Sequence, residues 1–95
     1  MEQVEKIKQL CKELGEENLV KAVDSFVALQ KELSSKKGED FINVSILGFI
    51  EGILVSLSTK HESEKIKELL EEVKTKRAEL EEKFKKPRVP LLENP

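Results

Sequence analysis

The fold of this 95-residue chain is decided by residues 41–57, which read FINVSILGFIEGILVSL. The segment carries one charge, Glu51, and its apolar side chains cover most of the circumference of a helix. Asn43, Ser45 and Ser56 interrupt it, and it is shorter than the roughly 20 apolar residues that a hydrocarbon core about 30 Å thick requires. We therefore predict a buried helix at the centre of a small domain, with no membrane span.

Two amphipathic helices precede this segment. In the first, apolar residues recur at intervals of three and four, and Gly15 supplies the left-handed residue that often ends a helix. A second helix is predicted over residues 17–33. Residues 34–40 are polar and include Gly38, which predicts a loop with Asp40 as the N-cap of the third helix. The apolar positions of the first helix are Val4, Ile7, Leu10, Cys11 and Leu14.

The third helix is predicted over residues 41–58, and a fourth follows a short polar connection. Ser63 or Ser58 caps this last helix, which reaches about Lys86 before Pro87 stops it. Its apolar residues form a short heptad stripe in which Arg77 takes the one core-type position that is not apolar. That stripe consists of Ile66, Leu70, Val73, Leu80 and Phe84.

These segments predict an all-α protein, a small antiparallel bundle of about four helices with the apolar third helix at its centre. Nowhere does a strand-like alternation persist. Residues 1–86 form a single helical domain, and residues 87–95 form an extended tail because three prolines prevent a helix there. We expect Val89, Leu91 or Leu92 of this tail to contact apolar surface.

Composition and charge exclude several classes of function. The 17 Lys and Arg residues balance 19 Asp and Glu residues to a net charge of −2, which argues against nonspecific binding to nucleic acid or anionic lipid. The single cysteine, Cys11, excludes an internal disulfide and a zinc site built on paired cysteines. The N-terminus lacks a signal-peptide pattern. We expect a cytoplasmic protein.

The residues that could carry catalysis are few, and we expect neither an enzyme nor a cofactor. His61 is the only histidine and lies in a polar connection, where an exposed imidazole is expected. Cys11 lies on the apolar stripe of the first helix, where a small buried thiol is expected. The alternative is a small enzyme with a site around Cys11 and His61. A helical di-metal site needs more than one histidine, so we predict no metal.

A second alternative is weak nucleic-acid binding through the end of the fourth helix. Lys83, Lys85, Lys86 and Arg88 form a small basic cluster there. The helix dipole favours basic residues at this position, and no aromatic residue suited to base stacking accompanies them. We therefore consider nucleic acid a poor candidate as a partner.

The third helix also carries the candidate interaction surface. Small residues recur on it at intervals of three and four, which places them on one stripe. Two glycines inside a helix cost about 0.5–1 kcal/mol each relative to Ala, and close approach of another backbone is a physical reason to keep them. We expect Gly52 to lie at a close helix contact, either in the core or between subunits. The predicted interface residues are Ser45, Gly48, Phe49, Gly52 and Ser56.

Glu51 shares an edge of the third helix with Asp40, Leu47 and Ser58. We interpret this edge as facing water. The alternative is a partly buried carboxylate paired with Arg77, because an unpaired buried charge is costly.

The Lys- and Glu-rich composition and the central run FINVSILGFIEG resemble small uncharacterised helical proteins of hyperthermophilic archaea. The resemblance carries no catalytic motif and implies no activity. Together these observations predict a noncatalytic protein-interaction module, a homodimer or a binder of a small protein partner, that associates through the third helix.

Overall fold

The computed structural model describes residues 1–85, except for the side chains of Ser35, Lys37, Phe84 and Lys85. Five helices form in this part of the chain, and no strand does. They are α1 (Glu2–Glu13), α2 (Glu17–Glu32), α3 (Ser34–Lys37), α4 (Glu39–Lys60) and α5 (Glu64–Lys85). The four long helices correspond to the four predicted ones, so the all-α class is confirmed.

The four long helices form an antiparallel bundle. α4 packs most extensively against α5 and also contacts α2 and α1, while α1 contacts α2 and α5. Two ion pairs show that α5 runs antiparallel to α4, because Asp40 near the start of α4 meets Lys83 and Glu51 further along meets Arg77. α4 therefore lies between α2 and α5, with part of its surface on the outside of the bundle.

The core is aliphatic, as the scarcity of aromatic residues predicts. Burying one such side chain contributes about 1.5–3 kcal/mol, so the helix that supplies most of them dominates the stability. α4 supplies more fully buried side chains than any other helix, which confirms its central place. The largest fully buried side chains are Ile7, Leu47, Ile50, Leu54, Leu57, Ile66, Val23, Val73 and Cys11.

The helix ends agree with the sequence in part. Gly15 ends α1 with a φ of 76°, and the backbone N–H of Lys65 donates to Oγ of Ser63, which identifies Ser63 as the capping residue of α5. The prediction that Asp40 caps the third helix is wrong. Gly38 adopts a φ of 88°, so α4 begins directly after it and Asp40 lies in the first turn, where its charge favours the helix dipole.

Two further expectations concern the loop and the tail. Residues 34–37 form the short helix α3 rather than a loop, because the chain keeps turning after α2 until Gly38. The predicted tail, residues 87–95, lies outside the described residues, and so does Lys86.

α4 is also long and apolar enough to cross a bilayer, judged by length and composition alone. The core helix of a soluble protein meets the same criterion. Here α4 contributes the fully buried side chains against which the other helices pack.

Candidate interaction surface

The outward side of α4 carries no charged residue. At about 100° per residue, the eight residues of this outward side fall within about 120° of one another around the helix axis. We call this surface the α4 outer face. It consists of Phe41, Val44, Ser45, Gly48, Gly52, Val55, Ser56 and Thr59, each of which is exposed or half-buried.

Large apolar side chains on this face are open to solvent. Val55 is 48% exposed and Phe41 is 44% exposed, and Val44 is half-buried. Single exposed apolar residues are common on soluble proteins, whereas a contiguous apolar surface is a sign of an interaction site. The α4 outer face is contiguous over five turns.

The two helical glycines of α4 do not contact another helix backbone within the described residues. A Cβ atom added at Gly52 would meet nothing within 4 Å, and one added at Gly48 would meet only Nη1 of Arg77, at 3.9 Å. A close helix contact through Gly52 in the core of the monomer is therefore excluded in this part of the chain. Gly52 is exposed to solvent, and the expected contact between subunits stays a prediction.

Phe49 lies on the α2 edge of the face and stacks on Phe26. The two ring centroids are 4.2 Å apart and the ring planes differ by 2°. Phe49 is thus already used in packing α4 against α2, although the sequence placed it in the interface. The stack closes the gap between these helices and sets the lateral limit of the α4 outer face.

Arg77 and Glu51 form the opposite edge, towards α5. Nη1 of Arg77 lies 2.7 Å from Oε1 of Glu51, whose side chain is only 19% exposed. The interpretation of this edge as facing water is therefore wrong, and the alternative pairing with Arg77 is correct. Burial by α5 makes an unpaired carboxylate costly here, and the guanidinium offsets that cost.

The distance between Arg77 and Glu51 is short, but the hydrogen-bonding capacity of the Glu51 carboxylate is not fully satisfied. Oε1 of Glu51 is buried, and no described N–H or O–H group is aligned to donate a hydrogen bond to it. The attraction between the two groups is therefore mainly electrostatic. Arg77 also lies 3.7 Å, through Nε, from the carboxylate of Glu81.

Two leucines extend the apolar surface onto α2. Leu29 is 59% exposed, and Leu33 at the end of the helix is also exposed. Both follow Phe26 at helical spacing, three and seven residues later, so they share its side of α2 next to α4. Helical spacing alone places Leu29 and Leu33 with the other apolar residues of α2, so a buried position would be expected for them. They are exposed because α2 buries its other side, around Val20 and Val23, in the core.

A second cluster of polar side chains lies where the end of α4 meets the turn after α1, and there His61 contacts Glu16. Nε2 of His61 lies 2.9 Å from Oε2 of Glu16, and Nζ of Lys60 lies 3.7 Å from the same oxygen. These contacts hold the pKa of Glu16 below its usual range, chiefly through the hydrogen bond with His61. His61 is therefore half-buried and partnered rather than exposed, because the turn after α1 brings Glu16 beside it.

Cys11 is fully buried, as expected. Burial raises the pKa of its thiol, and the nearby charge of Glu16 raises it further. A cysteine nucleophile requires the opposite shift. Within the described residues, no group of three or more His, Cys, Asp or Glu side chains could hold a metal ion.

Most of the basic cluster at the end of the fourth helix cannot be placed, since the side chain of Lys85 and all of Lys86 and Arg88 lie outside the described part. Nζ of Lys83 lies 3.4 Å from a carboxylate oxygen of Asp40 at the start of α4. Lys83 therefore has a role in joining α5 to α4.

Comparison with known proteins identifies relatives. Residues 4–94 match DUF3216, described as a protein of unknown function. The crystal structure of a singleton protein from P. furiosus is 52% identical, with a TM-score of 0.83, and the match covers 85% of this chain and 89% of that one. No curated protein matches the sequence.

These matches confirm the resemblance to small helical proteins without a functional motif, and the source of the neighbour agrees with a composition typical of thermophiles. The fold of the neighbour agrees with the bundle described above. Because the family match extends over residues 4–94 of the 95, the chain belongs to DUF3216, a family of proteins of unknown function.

Proposed function

We propose that the protein is a noncatalytic interaction module of the cytoplasm that forms a homodimer through the α4 outer face. The observation that carries this proposal is the uncharged surface along α4, on which Val55 and Gly52 are exposed and Val44 is half-buried. Elsewhere the exposed side chains are dominated by Lys and Glu. A surface of this kind is typical of a protein–protein contact.

The glycines support the same proposal. Each costs about 0.5–1 kcal/mol relative to Ala in a helix, and nothing within the described chain approaches Gly52 closely enough to require its lack of a side chain. A helix from a second subunit would use that space, because small residues allow two backbones to come close together.

The α4 outer face alone is smaller than a stable interface requires. Residues 41–59 of α4 span about 28 Å, and at a width of about 10 Å the helix alone offers roughly 300 Å². A stable interface needs about 800 Å² from each partner. The exposed Leu29 and Leu33 beside α4 on one side, and α5 on the other, would supply the difference.

The edges of the surface resemble the rim of an interface. Arg77 and Glu81 on α5 are charged and half-buried, and they border the apolar centre. Interfaces commonly combine an apolar core with a polar rim of this type. Catalysis has less support, because the raised pKa of the Cys11 thiol opposes nucleophilic chemistry.

The proposal is tested by measuring solution mass by light scattering over a wide range of protein concentration. We expect a dimer that dissociates on dilution, and we expect Val55→Lys to weaken it. The new lysine lies four residues after Glu51, a spacing that favours the helix, so the monomer should keep its stability. The loss would come from burying a charge, twice by symmetry, in an apolar contact.

Ala28→Lys is the matched control. Ala28 is also exposed and apolar, and Asp24 precedes it by four residues as Glu51 precedes Val55. It borders a groove lined by Val4, Lys8 and Ile42, away from the α4 outer face. Equal effects of the two lysines, or a monomer at every concentration, would refute the proposed dimer.

A further inference from the structure

The α4 outer face has an internal symmetry that bears on how a second copy would bind. Val44 and Val55 lie at nearly equal distances before and after Ile50, and so do Ser45 and Ser56. Gly48 and Gly52 lie two residues on either side of the same point. The inner six residues of the face therefore have a nearly symmetric placement about Ile50, whereas the outermost pair, Phe41 and Thr59, differs.

The helical positions separate this face into two columns. At 100° per residue, Val44, Gly48 and Val55 fall on the side towards α5, and Ser45, Gly52 and Ser56 fall on the side towards α2. The α5 side is identified by Gly48, whose nearest neighbour is Arg77. The α2 side is identified by the stacking of Phe49 on Phe26.

We infer that two copies pair with their α4 helices antiparallel, about a two-fold axis at the level of Ile50. This inference rests on the proposed dimer and specifies its geometry. A two-fold axis perpendicular to both helices brings each column against the same column of the second copy, in reverse order. Val44 then meets Val55 of the second copy, Ser45 meets Ser56, and the glycines lie where the helices cross.

This arrangement uses each part of the face. The two valine contacts cover apolar side chains, since each copy carries the half-buried Val44 at one end and the exposed Val55 at the other. The column of Ser45, Gly52 and Ser56 presents no large side chain, so it allows close approach beside α2. There the exposed Leu29 of each copy would add to the contact.

The ends of α4 favour the antiparallel direction over the parallel one. Glu39 and Asp40 lie in the first turn, and Lys60 lies in the last turn. Antiparallel pairing brings the acidic end of one helix to the basic end of the other and opposes the two helix dipoles. Parallel pairing would bring like charges together at both ends.

Disulfide crosslinking distinguishes these arrangements, because a disulfide requires Cα atoms closer than about 7 Å. The variant Val44→Cys/Val55→Cys should form a covalent dimer on mild oxidation, seen on a nonreducing gel, through two equivalent bonds. Each single variant should remain uncrosslinked, since Val44 would lie about 18 Å along the axis from its own symmetry mate at 1.5 Å per residue. Cys11 is fully buried and should not react in the folded protein.

The pair Ser45→Cys/Ser56→Cys provides a second, independent test on the α2 side and guards against a folding defect in the first variant. Crosslinking of a single variant as efficient as that of the pair would overturn the inference in favour of parallel pairing. If both pairs fail to crosslink in a protein that light scattering shows to be dimeric, the antiparallel geometry is overturned. The proposed dimer itself is not contradicted by that result. A monomer at every concentration would refute both.

Discussion

Replacing Arg77 with Met should destabilise the fold more than the loss of an exposed charge would. The guanidinium lies 2.7 Å from the buried Oε1 of Glu51, and no described group is aligned to donate a hydrogen bond to that oxygen. Met keeps most of the aliphatic packing of Arg but removes the charge. Glu51 would then hold a negative charge in a site from which α5 excludes most of the water.

The magnitude follows from the burial of the two partners. A buried polar group without a partner costs about 1–3 kcal/mol, whereas an exposed ion pair contributes about 0–1 kcal/mol. The side chain of Glu51 is 19% exposed and that of Arg77 is 34% exposed, so water reaches part of the pair. We expect a loss of about 1–2 kcal/mol, which lowers the Tm of a domain of this size by about 4–16 °C.

The assay is a double-mutant cycle followed by thermal and urea unfolding at one dilute protein concentration. Arg77→Met and Glu51→Leu should each destabilise, and the double variant should recover most of the stability because no buried charge is left unpaired. Lys74→Met is the control, since Lys74 is an exposed cation of the same helix and its loss should stay within about 0.5 kcal/mol. Equal losses for Arg77→Met and Lys74→Met, or strictly additive losses in the cycle, would refute the coupling of this pair.

Three further predictions address other parts of the molecule. Gly52→Ala should stabilise the dilute monomer by about 0.5–1 kcal/mol, because a Cβ there meets nothing within 4 Å. A Tm below that of the unchanged protein at the same dilute concentration would contradict this. Leu54→Ala should cost about 2–5 kcal/mol in urea unfolding, since Leu54 is fully buried, whereas Val55→Ala at the next, exposed position should change the monomer little. The pKa of Glu16 is depressed by His61, so its contribution to stability is present above the unfolded pKa of about 4.3 and is lost as the pH falls through the folded pKa. Glu16→Gln should therefore flatten the acid limb of Tm against pH, and an unchanged limb would show that the contact contributes nothing.

The fold was largely predictable from sequence because its strongest signals are local. The spacing of Ile7, Leu10 and Cys11 on α1 reports directly which face is buried, and the structure agrees at each of these residues. The apolar run identified α4 as the central helix but not its exposed side, where Phe41 and Val55 lie. The start of α4 was harder to predict. Asp40 is a good N-cap residue, but Gly38 adopts a positive φ and so ends the preceding turn two residues earlier.

A contact between two helices could be predicted only where a charged residue had a single suitable partner of opposite charge in the sequence. Arg77 was the natural partner of a buried Glu51, because it occupies a core-type position, yet the sequence could not show that α5 covers that edge. Glu16 was missed as the partner of His61. The two residues are 45 positions apart, and only the bundle brings the turn after α1 beside the end of α4.

The absence of charge on the α4 outer face is hard to attribute to the needs of the monomer. A Lys or Glu at the position of Gly52 would meet no steric obstacle in the described chain and would be a better helix former than Gly. The rest of the sequence uses such residues freely, since charged residues make up 38% of it. Their exclusion from this one surface, together with the near-symmetric placement of Val44 and Val55 about Ile50, agrees with the proposed two-fold contact between identical helices. A sequence under selection for solubility alone would be expected to place charges there.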